Sequence, residues 1–379
     1  MSRSKSTLDE LAFFQRGFDI TMKQLEDGNY PVISSSGVQG YHSVAKVKGP
    51  GVIIGRKGTL GSVHYIESDF WPHDTTLWVK DFKGNNPKFV YYFLKTLELE
   101  RFDSGGANPT LNRNHIHGLE IIKPLPVTQE RIAEILSNYD RLIDNNNRRI
   151  ALLEESIHQL YKEWFVRSRF PGYESVKVVD GIPEGWSKVT ISDLYSTSSG
   201  GTPSRKKNDE YYMGGNIPWL KTQELNNRWI IDTEEKITES GLSNSSAKLF
   251  PKGTFIIAMY GATIGQFGIL SKECTTNQAC CALLYQSEYL FNYAYAFGYL
   301  LTEREKIISM GQGSAQPNIS QQVIKKLDIL KPSEVIIKYY NSIVEPWLDA
   351  MLSYQLMNIK LKEARDLLLP RLMNGSIAV

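Results

Sequence analysis

From Thr128 to Arg167 the chain runs without a glycine or a proline. Its apolar side chains recur at alternating steps of three and four: Leu136, Tyr139, Ile143, Ile150, Leu153, Ile157, Leu160 and Trp164, with Asn146 the single polar occupant of the row. That is a heptad seam held for four repeats, the pattern of a coiled-coil helix rather than of an ordinary surface helix. The asparagine triplet at 145–147 is a turn signal in most contexts, but only Asn146 falls on the seam, so the triplet need not break the helix. Moving 208 residues on, the same register falls on Val344, Trp347, Met351, Tyr354, Asn358, Leu361, Arg365, Leu368 and Leu372, a second seam whose polar exceptions are Asn358 and Arg365. Two seams of equal length predict two helical arms that pair. At about 1.5 Å per residue, an arm of about 40 residues is ~60 Å long. Antiparallel pairing within one chain would carry a folded segment at each end of a rod and place Asn146 near Asn358, as residues that set the spacer register. The competing expectations are two core helices, each on its own domain, and a coiled coil between two copies.

Outside the arms the texture changes. Short apolar runs broken by Gly, Pro and Asn (VIIG, LWV and LEII, then TFIIAM, ACCALLY and LDIL) predict strands, and STLDELAFF and NPKFVYYFLKTL predict short helices, the first with Thr7 and Glu10 in a capping-box spacing. These runs occur twice. GGANPTLN (105–112) matches GSAQPNIS (313–320), and Pro109 and Pro317 lie 208 apart, as do Pro124 and Pro332. VIIGRKGTLG (52–61) matches FIIAMYGATIG (255–265) at an offset of 203, and YPVIS (30–34) matches IPWLK (217–221) at 187, so the second copy carries insertions, among them TPSRKKNDEYYMGGN (202–216). An ordered set of matches is an internal duplication. The predicted fold is α+β: two similar mixed α/β domains over 1–127 and 169–332, helical spacers over 128–168 and 333–379, and a pseudo-two-fold repeat relating the halves.

Composition changes this picture little. The chain has 379 residues with a net charge of +2, so a nucleic-acid surface would have to be local. The segment MSRSKSTLDELAFF has no apolar core of signal-peptide length, no run is long enough to span a bilayer, and three cysteines give no disulfide framework, so the expected setting is cytoplasmic with no membrane partner. Walker A, GxGxxG and amino-methyltransferase NPPY or DPPY patterns are absent. His115 and His117 lack accompanying ligands at metal spacing, and Cys274, Cys280 and Cys281 sit in or beside an apolar run, so no metal site and no catalytic residue is expected.

TQERIAEILSNYDRLIDNNNRRIALLEESIHQLYKEWF, GTFIIAMYGATIG, TTNQACC and RDLLLPRLMNGSI resemble the specificity subunit of type I restriction–modification systems over essentially the whole chain. The resemblance implies that each mixed domain is a target recognition domain and each arm a spacer. It implies double-stranded DNA as ligand, read as an asymmetric bipartite target with a fixed gap. It also implies two modification (methyltransferase) subunits and restriction (translocase/nuclease) subunits as partners. S-adenosylmethionine, ATP and Mg would belong to those partners, with no cofactor in this chain. A protein-only coiled-coil adaptor and the specificity subunit of a methylation-only system stay open as alternatives.

Base edges are read mainly by Arg, Lys, Asn, Gln, Ser and Thr. The DNA-binding candidates are therefore the polar turn residues Arg56, Lys57, Thr59, Asn112, Arg113 and Asn114 in the first domain. In the second they are Thr202, Ser204, Arg205, Lys206, Lys207, Lys221, Thr222, Gln223, Tyr260 and Thr263. The glycines Gly58, Gly61, Gly261 and Gly265 are assigned to tight turns. Tyr161, Trp164, Phe165 and Trp347 are candidates for partner docking, against the alternative that they pack the arms onto their own domains.

Overall fold

A computed structural model describes residues 3–102, 109–285, 290–311 and 318–379. The repeat markers at 105–108 and 313–317 lie outside the described residues. The chain divides into two compact units, one of Met1–Asp144 with Ile359–Val379, the other of Asn145–Asn358. The arms are helices Pro126–Tyr161 and Glu334–Asn374, and the first continues as a π turn over Lys162–Val166.

In the first unit, Arg3–Thr7 pairs antiparallel with Glu120–Pro124. A four-stranded sheet runs in the order Phe13–Arg16, Thr76–Asp81, Gly51–Gly55, Val63–Ile66, and a three-stranded sheet in the order Gly37–His42, Tyr30–Ser34, Trp71–Pro72. In the second unit Ser187–Thr190 pairs with Asp328–Lys331. A five-stranded sheet runs Tyr195–Ser199, Cys280–Tyr285, Phe255–Ala258, Phe267–Leu270, Arg228–Ile230, and a four-stranded sheet runs Glu235–Ile237, Ile217–Leu220, Cys274–Thr276, Leu249–Phe250. The strand orders match once one strand is removed from each sheet of the second unit, so the duplication seen in sequence is a duplication of topology.

Local chemistry accounts for the short helices. Asn86 accepts the Phe89 amide at 3.0 Å and caps Pro87–Leu94, with Pro87 in the first turn, where its missing N–H costs nothing. STLDELAFF is a correction. The helix is the single turn Leu8–Leu11, entered with the Glu10 carboxylate accepting the Thr7 amide at 3.4 Å, and Phe13–Arg16 is already strand. Phe14 is fully buried, and the strand's pairing with Thr76–Asp81 outweighs helix propensity there.

The arms pack within each unit. In the first, Ile132 and Leu136 share a core with Phe89, Phe93, Leu369 and Leu372, and Asp140 meets Arg365 at 2.5 Å. In the second, Ile150 and Ile157 share a core with Tyr295, Val344, Leu348 and Met351. There the pairing is antiparallel: as numbers rise along the first arm, the partners fall from Asn358 (Asn146) to Tyr354 (Arg149) to Tyr340 (Tyr161). The seam residues Leu136, Ile143, Ile150, Ile157 and Trp164, one per heptad, are all buried, whereas Asn145 and Asn147 are exposed. Among the described residues no helix is long and apolar enough to cross a membrane.

Candidate nucleic-acid interface

In the first unit the fully buried strand Gly51–Gly55 delivers the chain to a polar turn at its end. Gly58 and Gly61 there have φ of 76° and 72°, backbone that a side-chain-bearing residue adopts only with strain. The turn is fixed from outside. The Arg56 and Lys57 amides donate to the Thr75 carbonyl at 2.8 and 3.1 Å, and the Leu111 amide donates to the Arg56 carbonyl at 2.9 Å. Lys57 and Thr110 face each other as an antiparallel bridge. The Ser62 hydroxyl donates to the Ser35 carbonyl at 2.5 Å. His64 Nε2 lies 3.1 Å from the same oxygen, and the Ser35 amide donates to Thr75 Oγ1 at 3.4 Å. Four separate segments, 34–37, 56–62, 73–75 and 110–114, therefore converge. Lys57, Thr59, Asn112, Arg113 and Asn114 are exposed on this surface and Arg56 is half-buried, one of its guanidinium nitrogens (Nη1) buried without a partner. Asn112 also has a structural duty: its Oδ1 accepts the Asn114 amide at 3.0 Å and caps helix Arg113–His117.

The second unit repeats the plan with other side chains. Strand Phe255–Ala258 leads to a turn with Gly261 and Gly265 at φ 69° and 75°. Tyr260 bridges Asn318, and the Ile319 amide donates to the Met259 carbonyl at 2.9 Å, as Leu111 does to Arg56 in the first unit. Tyr260 is exposed, and Thr263 is tied back to its carbonyl at 3.0 Å. The Met259 amide donates to Ala279, and the exposed Gln278 beside it accepts from Thr202 Oγ1 at 2.5 Å.

Several candidates are already engaged. Arg205 lies 2.6 Å from Glu235, its guanidinium over the rings of Tyr212 (4.1 Å) and Trp219 (5.2 Å). Lys221 lies 3.1 Å from both Glu234 and Glu235, and the hydrogen bond to Glu234, followed by that to Glu235, raises its pKa. Burial pushes the Glu235 carboxyl up, but Arg205 and Lys221 together hold it below the usual range. Lys207 pairs with Glu210 at 3.2 Å. Lys57, Arg113 and Lys206 are exposed without an ion pair among the described residues; Ser204 and Gln223 are also exposed. Thr222 differs from the other candidates: only 9% of it is exposed, at the turn Thr222–Glu224.

Of the partner-docking candidates, Tyr161, Trp164 and Phe165 are buried in the core of the second unit, the packing alternative, and the partly buried Trp347 packs against that core. The Phe165 ring centroid lies 5.0 Å from those of Tyr161 and Tyr340 and 5.1 Å from that of Tyr295. Asn146 and Asn358, each 7% exposed, join through Asn146 Nδ2 donating to Asn358 Oδ1 at 2.9 Å, and Asn358 Nδ2 donates to Asn147 Oδ1 at 3.0 Å.

No group of His, Cys, Asp or Glu among the described residues could hold a metal. His117 Nε2 accepts the Phe14 amide at 3.1 Å. Cys274, Cys280 and Cys281 are buried free thiols; burial pushes Cys274 and Cys281 up to about 12, far from a reactive thiolate.

The family model described as the type I restriction modification DNA specificity domain matches residues 4–155 and again 183–334. The MjaIX type I restriction enzyme specificity subunit of Methanocaldococcus jannaschii is 26% identical over 308 residues, covering 77% of this chain and 69% of that protein. The HindI specificity subunit of Haemophilus influenzae is 26% identical, with 77% of each chain covered. The crystal structure of the type I system S subunit from M. genitalium has the same fold, with a TM-score of 0.63 at 17% identity over 98% of this chain and 96% of that one.

Proposed function

The chain belongs to the family of type I restriction modification DNA specificity domains, and we propose that it reads an asymmetric bipartite DNA target, one half-site per unit, while its paired arms set the unread gap. The observation that carries this reading is the repeated convergence of polar turns at the same strand end in both units with different side chains. Lys57, Thr59, Asn112, Arg113 and Asn114 face outward in one; Thr202, Tyr260 and Gln278 do so in the other. One scaffold bearing two residue sets implies two unlike half-sites. Base edges and the thymine methyl group would meet the uncharged groups, and Lys57, Arg113 and Lys206 would meet phosphates. The chain supplies no chemistry of its own in this reading. Two modification subunits would methylate adenine with S-adenosylmethionine, and restriction subunits would use ATP and Mg.

Mapping methylated sites after co-expression with a modification subunit tests the reading. Exchange of residues 1–127 for the matching domain of a relative should change one half-site and leave the other intact. A complex that retains no DNA selectively would leave the protein-only adaptor standing. Within that complex, Lys57→Ala and Arg113→Ala should each weaken binding about tenfold at low salt, across specific and non-specific duplexes alike. Each should also lower the slope of log affinity against log salt by about one. A loss confined to one target sequence would reassign that residue from phosphate to base.

A further inference from the structure

The repeat fails where the arms touch through polar groups. In the first unit Asp140 Oδ1 accepts Arg365 Nη1 at 2.5 Å, and its other oxygen accepts the Tyr92 hydroxyl. The positions related to these by the 208-residue repeat are Leu348 and Ile157 in the second unit, both 0% exposed. In the asparagine layer of the second unit, Asn358 is related by the repeat to Ile150, again 0% exposed. Asn146 is related to Tyr354, whose hydroxyl lies 3.3 Å from Arg149 Nη1. The arms are alike in apolar seam and unlike at each of these polar contacts.

We propose that these positions make the pairing heterotypic, so that the first arm accepts a second arm and rejects another copy of itself. Two first arms paired antiparallel with the symmetry of the repeat would set Asp140 against Ile157 and Asn146 against Ile150, each twice. Two second arms would set Arg365 against Leu348 and Asn358 against Tyr354. A half-buried carboxylate without its guanidinium and a buried amide without its partner are both penalised, whereas the native layers satisfy them. A lone polar residue in such a seam selects partner and register at some cost in stability. Duplication creates the hazard, since two similar arms on one chain invite cross-pairing between copies. The inference concerns arm pairing and holds whether or not the turns read DNA.

Two differently tagged copies of the full chain, co-expressed and captured through one tag, test it. Wild-type copies should co-purify at background level and keep a concentration-independent mass in light scattering. Asp140→Leu with Asn146→Ile removes the mismatch between first arms and strands Arg365 and Asn358. That variant should co-purify at least about tenfold above wild type, with mass rising toward a dimer. Wild-type copies that associate as strongly as the variant overturn the proposal, as does a helical, cooperatively melting variant that stays monomeric. Should the variant prove insoluble, Asp140→Arg in one copy and Arg365→Asp in the other provide a second test. Each lacks its partner within the chain and finds it in the other copy, so the two should co-purify when expressed together, and neither should do so with itself. Soluble copies that ignore each other count against the code.

Discussion

Inserting seven residues into the first arm beside Asn146, and seven into the second beside Asn358, should leave both half-sites unchanged and lengthen the unread gap by about three base pairs. A heptad preserves the seam, so the paired faces still meet. At ~1.5 Å per residue the insertion adds ~10.5 Å of helix, against ~3.4 Å per base pair of duplex. Those three base pairs also carry the second half-site about 100° around a duplex of ~10.5 base pairs per turn. The strain of that rotation should leave the new best site weaker than the old one was for the unaltered chain. At the original spacing one half-site is forfeited, and at about 1–3 kcal/mol per lost base pair affinity should fall at least ~100-fold. Insertion into one arm alone has a different signature: Asn146 slides off Asn358, buried amides lose partners at about 1–3 kcal/mol each, and the chain loses stability instead of gaining gap. Methylated-site mapping of both variants distinguishes the outcomes. An altered half-site, or an unaltered gap in the doubly extended chain, refutes the role assigned to the arms.

The sequence makes legible whatever repeats. A period of seven marks one face of a helix, which is why the buried row Leu136, Ile143, Ile150, Ile157 and Trp164 follows from spacing, and the meeting of Asn146 with Asn358 follows once the two rows are paired antiparallel within one chain. Features without a period stayed hidden. Helix Tyr293–Gly311 opens with YAYAFGYLL, buried on every side from Ala294 to Leu300, so no polar face sets its pitch. The single turn at Leu8–Leu11 reads as the start of something longer, because its cap is well formed. Charge was the least legible part of the candidate interface. Arg205 and Lys221 look like free cations in a polar loop, yet the strand Glu235–Ile237, distant in sequence, brings them a shared carboxylate. Conversely, His64, Thr75 and Gln278 carry no local signal and join the surface only because separate turns converge on it. A residue type in a loop indicates what it can do; the fold decides whether that capacity is already spent.

Phe165→Ala should destabilise the second unit by about 3–5 kcal/mol, the usual cost of emptying a buried aromatic site. Phe165 is 3% exposed, and Tyr161, Trp186, Tyr295 and Tyr340 surround its ring with centroids 5.0 to 5.8 Å away. The cluster is poorly able to collapse. Phe165 belongs to the π turn after the first arm, Tyr161 ends that arm's α-helix, Trp186 precedes the strand at Ser187, Tyr295 is on Tyr293–Gly311 and Tyr340 is on the second arm. A void among four separately anchored rings therefore persists rather than closing. For a unit of this size 1 kcal/mol corresponds to roughly 2–4 °C, so the second unit's melting midpoint should fall by about 10 °C in calorimetry of the full chain. The first unit, whose core contains none of these residues, should melt unchanged if the two transitions separate. A docking role for Phe165 would give the opposite pattern, with the melt intact and affinity for the modification subunit reduced. That pattern would show the ring to be spent on a partner rather than on the core.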